Sequence, residues 1–298
     1  MKDVHGGIMR IGRMRREDSS SGDRQVGFAI IPPLQVQTFT DIVRYRFVLE
    51  NLVAKNLKAL YRNMALGFFW SILNPLVMAV VLTAVQLKFF GQQAWWPSTF
   101  LCALIPYNFF AYCVSGCANS VIGNASLVTK VRFPRQILPI AVIVTNLVHF
   151  AIQSTLVVAA LLWFPPPHDV VGWHFLWLPV IVALNLALAV GLGLLVAGAN
   201  VVYRDVQYIV DSVMTVLFWL CPLVYDAGPV LANSPRWQFW LYFLNPLSGL
   251  LDSYRAVLFW GRAPDLGVLA LATVVIALLG VAGVRSFWKH EHRFADLI

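Results

Sequence analysis

Long uncharged runs alternate with short charged segments along this chain. Nothing is charged between Lys88 and Lys130, and nothing is charged between Arg135 and Asp169. Because about 20 apolar residues in a helix cross a bilayer, each run is long enough to hold a membrane span. The basic segment between them, residues 124–139, is therefore expected to form a tight hairpin at one membrane face.

The same pattern predicts six spans. Pro75 is expected to kink the first span, and Asp205 lies where an acidic side chain would cap the fifth. In the fourth span, small residues four apart on two faces predict close packing against two neighbouring helices. The spans are predicted over residues 67–87, 99–122, 137–164, 175–199, 206–225 and 266–284. The sequence therefore predicts an all-α integral membrane protein with both termini in the cytoplasm.

Residues 41–62, ahead of the first span, have the pattern of an amphipathic helix. One face is apolar, and the opposite face carries Arg44, Lys55, Lys58 and Arg62. A helix with one apolar and one basic face is suited to lie in the membrane interface. We therefore expect an interfacial helix here.

The segment between the fifth and sixth spans has a different pattern. Residues 237–251 are uncharged but too few to cross a bilayer, and the pair Asn245 and Pro246 interrupts them. Asn245 is expected to cap a helix whose first residue is Pro246. Asp252 and Arg255, three residues apart, can pair on that helix. We predict two short re-entrant helices that dip into the outer leaflet and return.

Composition agrees with a membrane protein. The 298 residues are 59% hydrophobic and 12% charged, with a mean hydropathy of +0.71, whereas soluble domains carry about 25% charged residues. We expect a disordered cytoplasmic tail over residues 1–33, followed by one transmembrane domain over residues 34–298.

The net charge of +8 does not indicate nucleic-acid binding. Of the 22 Lys and Arg residues, 18 lie in segments predicted to be cytoplasmic. Such a bias is what membrane topology and anionic lipid headgroups produce. The expected partners of this charge are therefore membrane lipids.

No motif for catalysis or cofactor binding is present. The four cysteines lie in apolar stretches and are expected to be small buried residues. His290 and His292 are two residues apart, so on a helix they face different directions and do not match the protease zinc motif. The sequence also lacks a GxxxxGK[ST] loop. If ATP drives this protein, a separate polypeptide must bind the ATP.

Four stretches resemble a known family. They read RFVLENLVAKNLKALYRNMALGFFWSILNP (46–75), LVTKVRFPRQILP (127–139), NVVYRDVQYIVDSVMTVLFWLCPLVYD (200–226) and YFLNPLSGLLDSYRAVLFWG (242–261). With the closing FWKHEHRFADLI, they make residues 38–298 resemble the membrane permease of type-2 ABC exporters. The resemblance is to the family that exports O-antigen, teichoic acid and related lipid-linked polysaccharides.

The resemblance implies how a separate ATPase subunit would drive the permease. In similar permeases the first cytoplasmic hairpin forms a coupling helix that docks on a separate ATPase subunit, and the interfacial helix also rests on that subunit. Two permease copies work with two copies of the ATP-binding cassette subunit, which hold ATP and Mg. In this chain the implied coupling residues are Asn124, Leu127, Val128, Lys130, Val131, Arg132, Phe133 and Arg135.

The resemblance also implies an exit gate and a substrate pathway. The two short outer helices correspond to gate helices, with Trp237, Trp240, Tyr242, Asn245, Pro246, Asp252 and Arg255 as candidate gate residues. A lipid-linked glycan would enter between the first and fifth spans of paired permeases. Sugars stack well on aromatic rings. The candidate pathway residues are Phe69, Trp70, Tyr107, Phe110, Trp219 and Tyr225.

The function expected from these observations is export of a lipid-linked polysaccharide across a bacterial inner membrane, by a permease subunit without its own ATPase site. A type-2 exporter of a small hydrophobic drug or a lipo-oligosaccharide would share nearly all these features. A membrane-embedded glycan transferase would show clustered acidic or His residues, whereas the acidic residues of the predicted outer loops are scattered. A passive channel would not need a basic docking hairpin.

Overall fold

The computed structural model describes residues 44–61, 69–131, 133–167, 172–226, 228, 235–291 and 294. These residues form helices, turns and loops, and no strand occurs among them. The tail predicted for residues 1–33 lies outside the described residues.

The helices in chain order are α1 (Arg46–Tyr61), α2 (Trp70–Phe89), α3 (Trp96–Ala118), α4 (Ala125–Lys130), α5 (Ile137–Trp163), α6 (Leu178–Val202), α7 (Val206–Leu220), α8 (Arg236–Phe243), α9 (Pro246–Leu258) and α10 (Leu266–Glu291). Short 3₁₀ turns cover Ile122–Asn124 and Trp173–Trp177. The predicted integral membrane all-α class is confirmed.

Five of these helices, α2, α3, α5, α6 and α10, are long and apolar enough to cross a membrane. They coincide with the first four predicted spans and the last one. The predicted fifth span holds α7, which ends at Leu220 because Cys221 precedes Pro222 and has an extended backbone. Its 15 residues rise about 22 Å, less than a hydrocarbon core of about 30 Å. The six-span count therefore stays a prediction.

Helix α3 is the centre of the bundle. In its most apolar window 78% of the residues are buried, against 17% for α2. It contacts α2, α5, α6, α7 and α9, and its side chains Phe100 and Phe110 are buried in the largest core cluster. Helix α3 therefore positions α2, α5, α6, α7 and α9, while α2 is the least covered span.

Helix α6 packs between α3 and α10, as its small residues predict. A Cβ atom on Gly193 would lie 2.9 Å from the Sγ atom of Cys117 in α3. On the other side, a Cβ atom on Gly283 of α10 would lie 2.0 Å from the carbonyl oxygen of Gly191. Because both distances are below normal contact, only glycine permits these helices to approach so closely.

The two helix caps predicted from sequence have opposite outcomes. Asn245 has an extended backbone, and its side-chain oxygen accepts a hydrogen bond from Leu247 N at 3.2 Å, which confirms the cap of α9. Asp205 directly precedes α7, as predicted, but its backbone is already helical and its side chain makes no capping hydrogen bond, so the predicted capping bond is wrong. Instead, the side-chain oxygen of Asn200 accepts from Gln207 N at 3.1 Å.

The four cysteines are buried free thiols, as expected. Among the described residues, no group of three or more His, Cys, Asp or Glu side chains is arranged to hold a metal ion. His292 lies outside the described residues.

Candidate functional site: coupling hairpin, helix end and polar cavity

The hairpin between α3 and α5 is tied to the interfacial helix α1. Asn124, which precedes α4, uses both ends of its side-chain amide. Its Nδ2 atom donates to the carbonyl oxygen of Ser120 at 2.8 Å, and its Oδ1 atom accepts from Lys55 Nζ at 2.6 Å. Since Lys55 lies on α1, this contact joins the hairpin to the interfacial helix.

The hairpin is also anchored in a core cluster. Val128 and Phe133 are 4% and 8% exposed. They belong to a cluster that includes Leu52 of α1, Val201 of α6 and Phe287 of α10. Three different helices therefore hold the hairpin from within, and Val128 and Phe133 are anchors rather than surface residues.

A small part of the hairpin remains open. Lys130 and Val131 are exposed, Val131 by 51%, and Leu127 is partly buried. Arg135 bonds to α10, because its backbone N–H donates to Glu291 Oε1 at 3.0 Å and its guanidinium donates to the Glu291 carbonyl oxygen. Arg132 lies outside the described residues. Of the predicted coupling residues that the structure describes, Lys130 and Val131 are thus the exposed ones, and Ser126 and Thr129 of α4 are exposed beside them.

The interfacial helix shows the predicted two faces. Its apolar side contributes Leu52, with Val48, Leu49 and Val53 packed nearby, to the cluster that anchors the hairpin. The predicted basic residues Arg44, Lys55 and Lys58 are exposed, and Arg62 lies outside the described residues.

The guanidinium of Arg255 stabilises the chain where α7 ends. Arg255 is 2% exposed. Its Nη1 atom donates to the Tyr225 carbonyl at 2.7 Å, Nε donates to the Thr99 carbonyl at 3.2 Å, and Nη2 donates to the Leu223 carbonyl. The predicted pairing with Asp252 is not formed through a hydrogen bond, because these donors go to the Leu223 and Tyr225 carbonyls beyond α7 and to the Thr99 carbonyl in α3. Non-helical backbone within a membrane is tolerated when protein groups satisfy it in this way.

Other predicted residues converge on the same helix end. The hydroxyl of Tyr225 donates to the Leu220 carbonyl at 2.6 Å and lies 3.0 Å from the hydroxyl of Tyr242. Asn245 Nδ2 lies 3.3 Å from Cys221 Sγ. The structure thus brings together Tyr225, Tyr242, Asn245 and Arg255, next to the buried Pro246, whereas Trp237 and Trp240 are exposed.

A cavity of about 530 Å³ adjoins this helix end and is lined by Asp226, Asp252, Arg262 and Asp265. Burial raises the pKa of the Asp252 carboxyl, which lies outside the five spanning helices. The negative charge of Asp226 raises that pKa further, while Arg255 and Arg262 oppose the shift. Asp252 is therefore a carboxyl whose charged form is disfavoured in the folded chain.

The aromatic residues proposed for the pathway fall in different environments. Trp70 lines the larger cavity described below. Tyr107 and Phe110 are buried in the core around α3, and Phe69 and Trp219 are exposed. Within one chain, the structure therefore brings only Trp70 of these six residues to the larger cavity.

The larger cavity has a volume of about 910 Å³ and was not anticipated from the sequence. It lies between α1, α2, α3 and α5, with Gln207 of α7 at one side and Gly123 and Asn124 of the hairpin at one end. The signal that was missed is the presence of Asn74, Asn146 and Gln153 inside apolar helices, since polar residues in membrane spans usually serve a function.

Comparison with known proteins shows similarity over most of the chain. Residues 48–259 match the family model for the ABC-2 type transporter. The O-antigen export system permease protein RfbA of Myxococcus xanthus is 33% identical over 269 residues, which cover 88% of this chain and all of the relative.

Two more distant relatives are similar over comparable lengths. The O-antigen export system permease protein RfbA of Klebsiella pneumoniae is 24% identical, over 82% of this chain and 92% of the relative. The polysialic acid transport protein KpsM of Escherichia coli is 22% identical, over 81% of this chain and 93% of the relative.

Proposed function

Because this chain belongs to the ABC-2 type transporter family, we propose that it is the permease subunit of an ATP-driven exporter of lipid-linked polysaccharide. Its relatives are named for export of O-antigen and transport of polysialic acid. Both are carbohydrate polymers, which supports a polysaccharide as the substrate here. The lipid carrier and the use of ATP are part of the proposal.

The observation that carries the proposal is the anchored hairpin with its exposed tip. A surface can transmit force from a partner protein only if the partner can contact that surface and the surface is rigidly held. Lys130 and Val131 are exposed, while Val128 and Phe133 fix the same segment in the core. In this proposal a separate ATP-binding cassette subunit binds at Lys130 and Val131, and the anchors pass its motion to α1, α6 and α10.

The complete exporter would contain two copies of this chain and two copies of the ATP-binding subunit, in which ATP and Mg are bound. The hairpin and both termini would face the cytoplasm of a bacterium, with the chain embedded in the inner membrane. ATP binding and hydrolysis would shift the permease between closed and open states. The helix end stabilised by Arg255, Tyr225 and Tyr242 would lie at the outer side and act as the gate.

The test is a change at the exposed tip that spares the anchors. The double variant Lys130→Glu with Val131→Asp should reduce both the ATPase rate of the assembled complex and export at least about tenfold, because a charge reversal and a buried carboxylate oppose docking. Membrane insertion and thermal stability of the permease should be unchanged. The matched control is Lys130→Arg with Val131→Thr, which keeps the charge and the shape.

Substitution of Val128 or Phe133 by Asp is not a test of docking. Both side chains are buried, so a carboxylate there would unfold the hairpin instead. Full export and full ATPase activity in the double variant at Lys130 and Val131 would contradict the proposed docking site.

A further inference from the structure

The cavity of about 910 Å³ lies against the hairpin, which makes its contents relevant to transport. Its volume is within the range of about 300–1,000 Å³ typical of sites for small molecules. Gly123 and Asn124 of the hairpin and Lys55 of α1 form one end, so the cavity lies at the end of the bundle that carries the coupling hairpin.

Most lining side chains are uncharged and polar. Amide side chains and hydroxyl groups predominate, and no carboxylate is among the described residues that line the cavity. Polar side chains are costly inside a membrane and normally face a functional site. Their concentration around one cavity favours a ligand that is itself rich in hydrogen-bonding groups.

Several amides retain an acceptor oxygen for such a ligand. Gln153 Nε2 donates to the Ser71 carbonyl at 3.0 Å, and Asn146 Nδ2 donates to the Val142 carbonyl at 3.0 Å. Gln207 also lines the cavity, and its Nε2 atom donates to the Asp211 carboxylate at 3.1 Å, which fixes the amide in place. Because the nitrogens of Gln153 and Asn146 are already used, their oxygens remain as acceptors, which favours a ligand with hydroxyl donors.

Two further groups restrict the ligand. The indole of Trp70 lines the cavity and offers a ring face, on which the C–H surface of a sugar packs well. The Lys55 ammonium has three donor hydrogens, and among the described residues it bonds to the neutral amide oxygen of Asn124. An anionic phosphate would give Lys55 a stronger, charge-assisted bond than that amide.

We propose that this cavity binds the first sugar of the exported glycolipid together with the phosphate that links it to the lipid, with the sugar on the amides and the phosphate near Lys55. The proposal rests on the proposed function, since it takes the exported molecule to be a glycolipid. Recognition of the glycolipid would then take place in a cavity that the coupling hairpin itself helps to form.

The test measures lipid binding to the full-length permease, assembled with its ATP-binding subunit in lipid nanodiscs. The probes are a polyprenyl diphosphate that carries one N-acetylhexosamine, the same polyprenyl diphosphate without sugar, and phosphatidylglycerol. The unmodified protein should bind the sugar-bearing lipid at least about tenfold more tightly than the sugar-free lipid, as expected for two or more hydrogen bonds. Phosphatidylglycerol should bind more weakly than both.

The double variant Gln153→Met with Gln207→Met should lose this preference for the sugar, because methionine has nearly the same shape but accepts poorly. Thr155→Val is the matched control on the same helix, since Thr155 is exposed and bonds its own helix at Ile152. It should keep the preference. Thermal unfolding of each variant without added probe shows whether the fold is intact.

As an independent check, Lys55→Met should weaken binding of both diphosphate lipids while leaving the ratio between them unchanged. Equal binding of sugar-bearing and sugar-free lipid by the unmodified protein would overturn the proposal, as would a preference that survives in the methionine variant. If export continues in either case, the site is wrong and the exporter function stands. Absence of ATP-dependent glycolipid export by the unmodified complex would instead refute the proposed function.

Discussion

Lys55 of α1 donates a hydrogen bond to the side-chain oxygen of Asn124, at a distance of 2.6 Å and 69 residues later in the chain. Asn124 in turn donates to Ser120 at the end of α3. The interfacial helix, the hairpin and the central span are therefore connected by consecutive hydrogen bonds. Movement imposed on the hairpin is expected to displace α1 with it.

Removal of this contact should weaken coupling without unfolding the chain. Because Lys55 is exposed, Lys55→Met is expected to lower stability by less than about 1 kcal/mol. The ATPase rate of the complex, measured without added glycolipid so that binding of the substrate plays no part, should fall roughly fivefold, the equivalent of one hydrogen bond. Lys58→Met, one turn along the same exposed face, is the matched control and should retain the rate. A loss of equal size in both variants would mean that α1 acts through its general charge and not through this bond.

The hydrogen bonds of the Arg255 guanidinium, and not only its positive charge, should be needed for the stability of the fold. Arg255→Met leaves the Leu223 and Tyr225 carbonyl oxygens without this donor and removes a bond to Thr99 of α3, so we expect a loss of at least about 2 kcal/mol in the free energy of unfolding. Arg255→Lys should be intermediate, because an ammonium does not present donors in the fixed fork of a guanidinium.

Thermal unfolding in detergent measures this effect. Arg262→Met, which removes an exposed basic side chain from the same region, should change the midpoint little. An Arg255→Met protein as stable as the unmodified chain would show that other groups satisfy the end of α7.

The contact between α6 and α10 should tolerate no added atom at Gly283. In Gly283→Ala, the new methyl group would lie 2.0 Å from the Gly191 carbonyl oxygen, so the helices must separate, at a cost of about 1–3 kcal/mol. Gly280→Ala on the same helix meets no atom within 4 Å and should be neutral, or stabilising by up to about 1 kcal/mol. Chemical or thermal unfolding of the two variants side by side checks this, and equal stability would rule out the close approach.

Asp252 should make stability depend on pH. Since burial raises its pKa in the folded chain, the folded state binds a proton more tightly than the unfolded state, and stability falls as pH rises from the ordinary carboxyl pKa through the raised value. Asp252→Asn removes this charge. The variant should unfold at a higher temperature than the unmodified protein near pH 8, and the difference should disappear near about pH 4. If the unfolding temperature rises by the same amount at both pH values, the changed shape of the side chain and not its lost charge causes the effect.

The spans were predictable because lipid leaves a simple signal in the sequence. Uncharged runs of sufficient length place α2, α3, α5, α6 and α10, and Asn245 followed by Pro246 fixes the start of α9. These signals are local, since each depends on neighbouring residues. One local signal misled in part, since Asp205 directly precedes α7 as predicted but the bond to Gln207 N comes from Asn200.

The site was less predictable because it depends on distant contacts. The carbonyls that Arg255 binds belong to residues about 30 and 156 positions away, and periodicity gives no information about such pairs. The amides of the larger cavity come from separate helices, so each appears as an isolated polar residue in its own span. Burial of Val128 and Phe133 likewise follows from packing against α1 and α10, which a hairpin sequence does not reveal.

The glycine contact between α6 and α10 also limits how the transporter changes state. Side chains at most helix interfaces accommodate sliding by changing rotamer, but here main chain meets main chain and no rotamer is available. The helices α6 and α10 must therefore move together as one rigid unit. Any change between closed and open states must be accommodated at other helix boundaries, and α2 is the span with the smallest buried share within one chain.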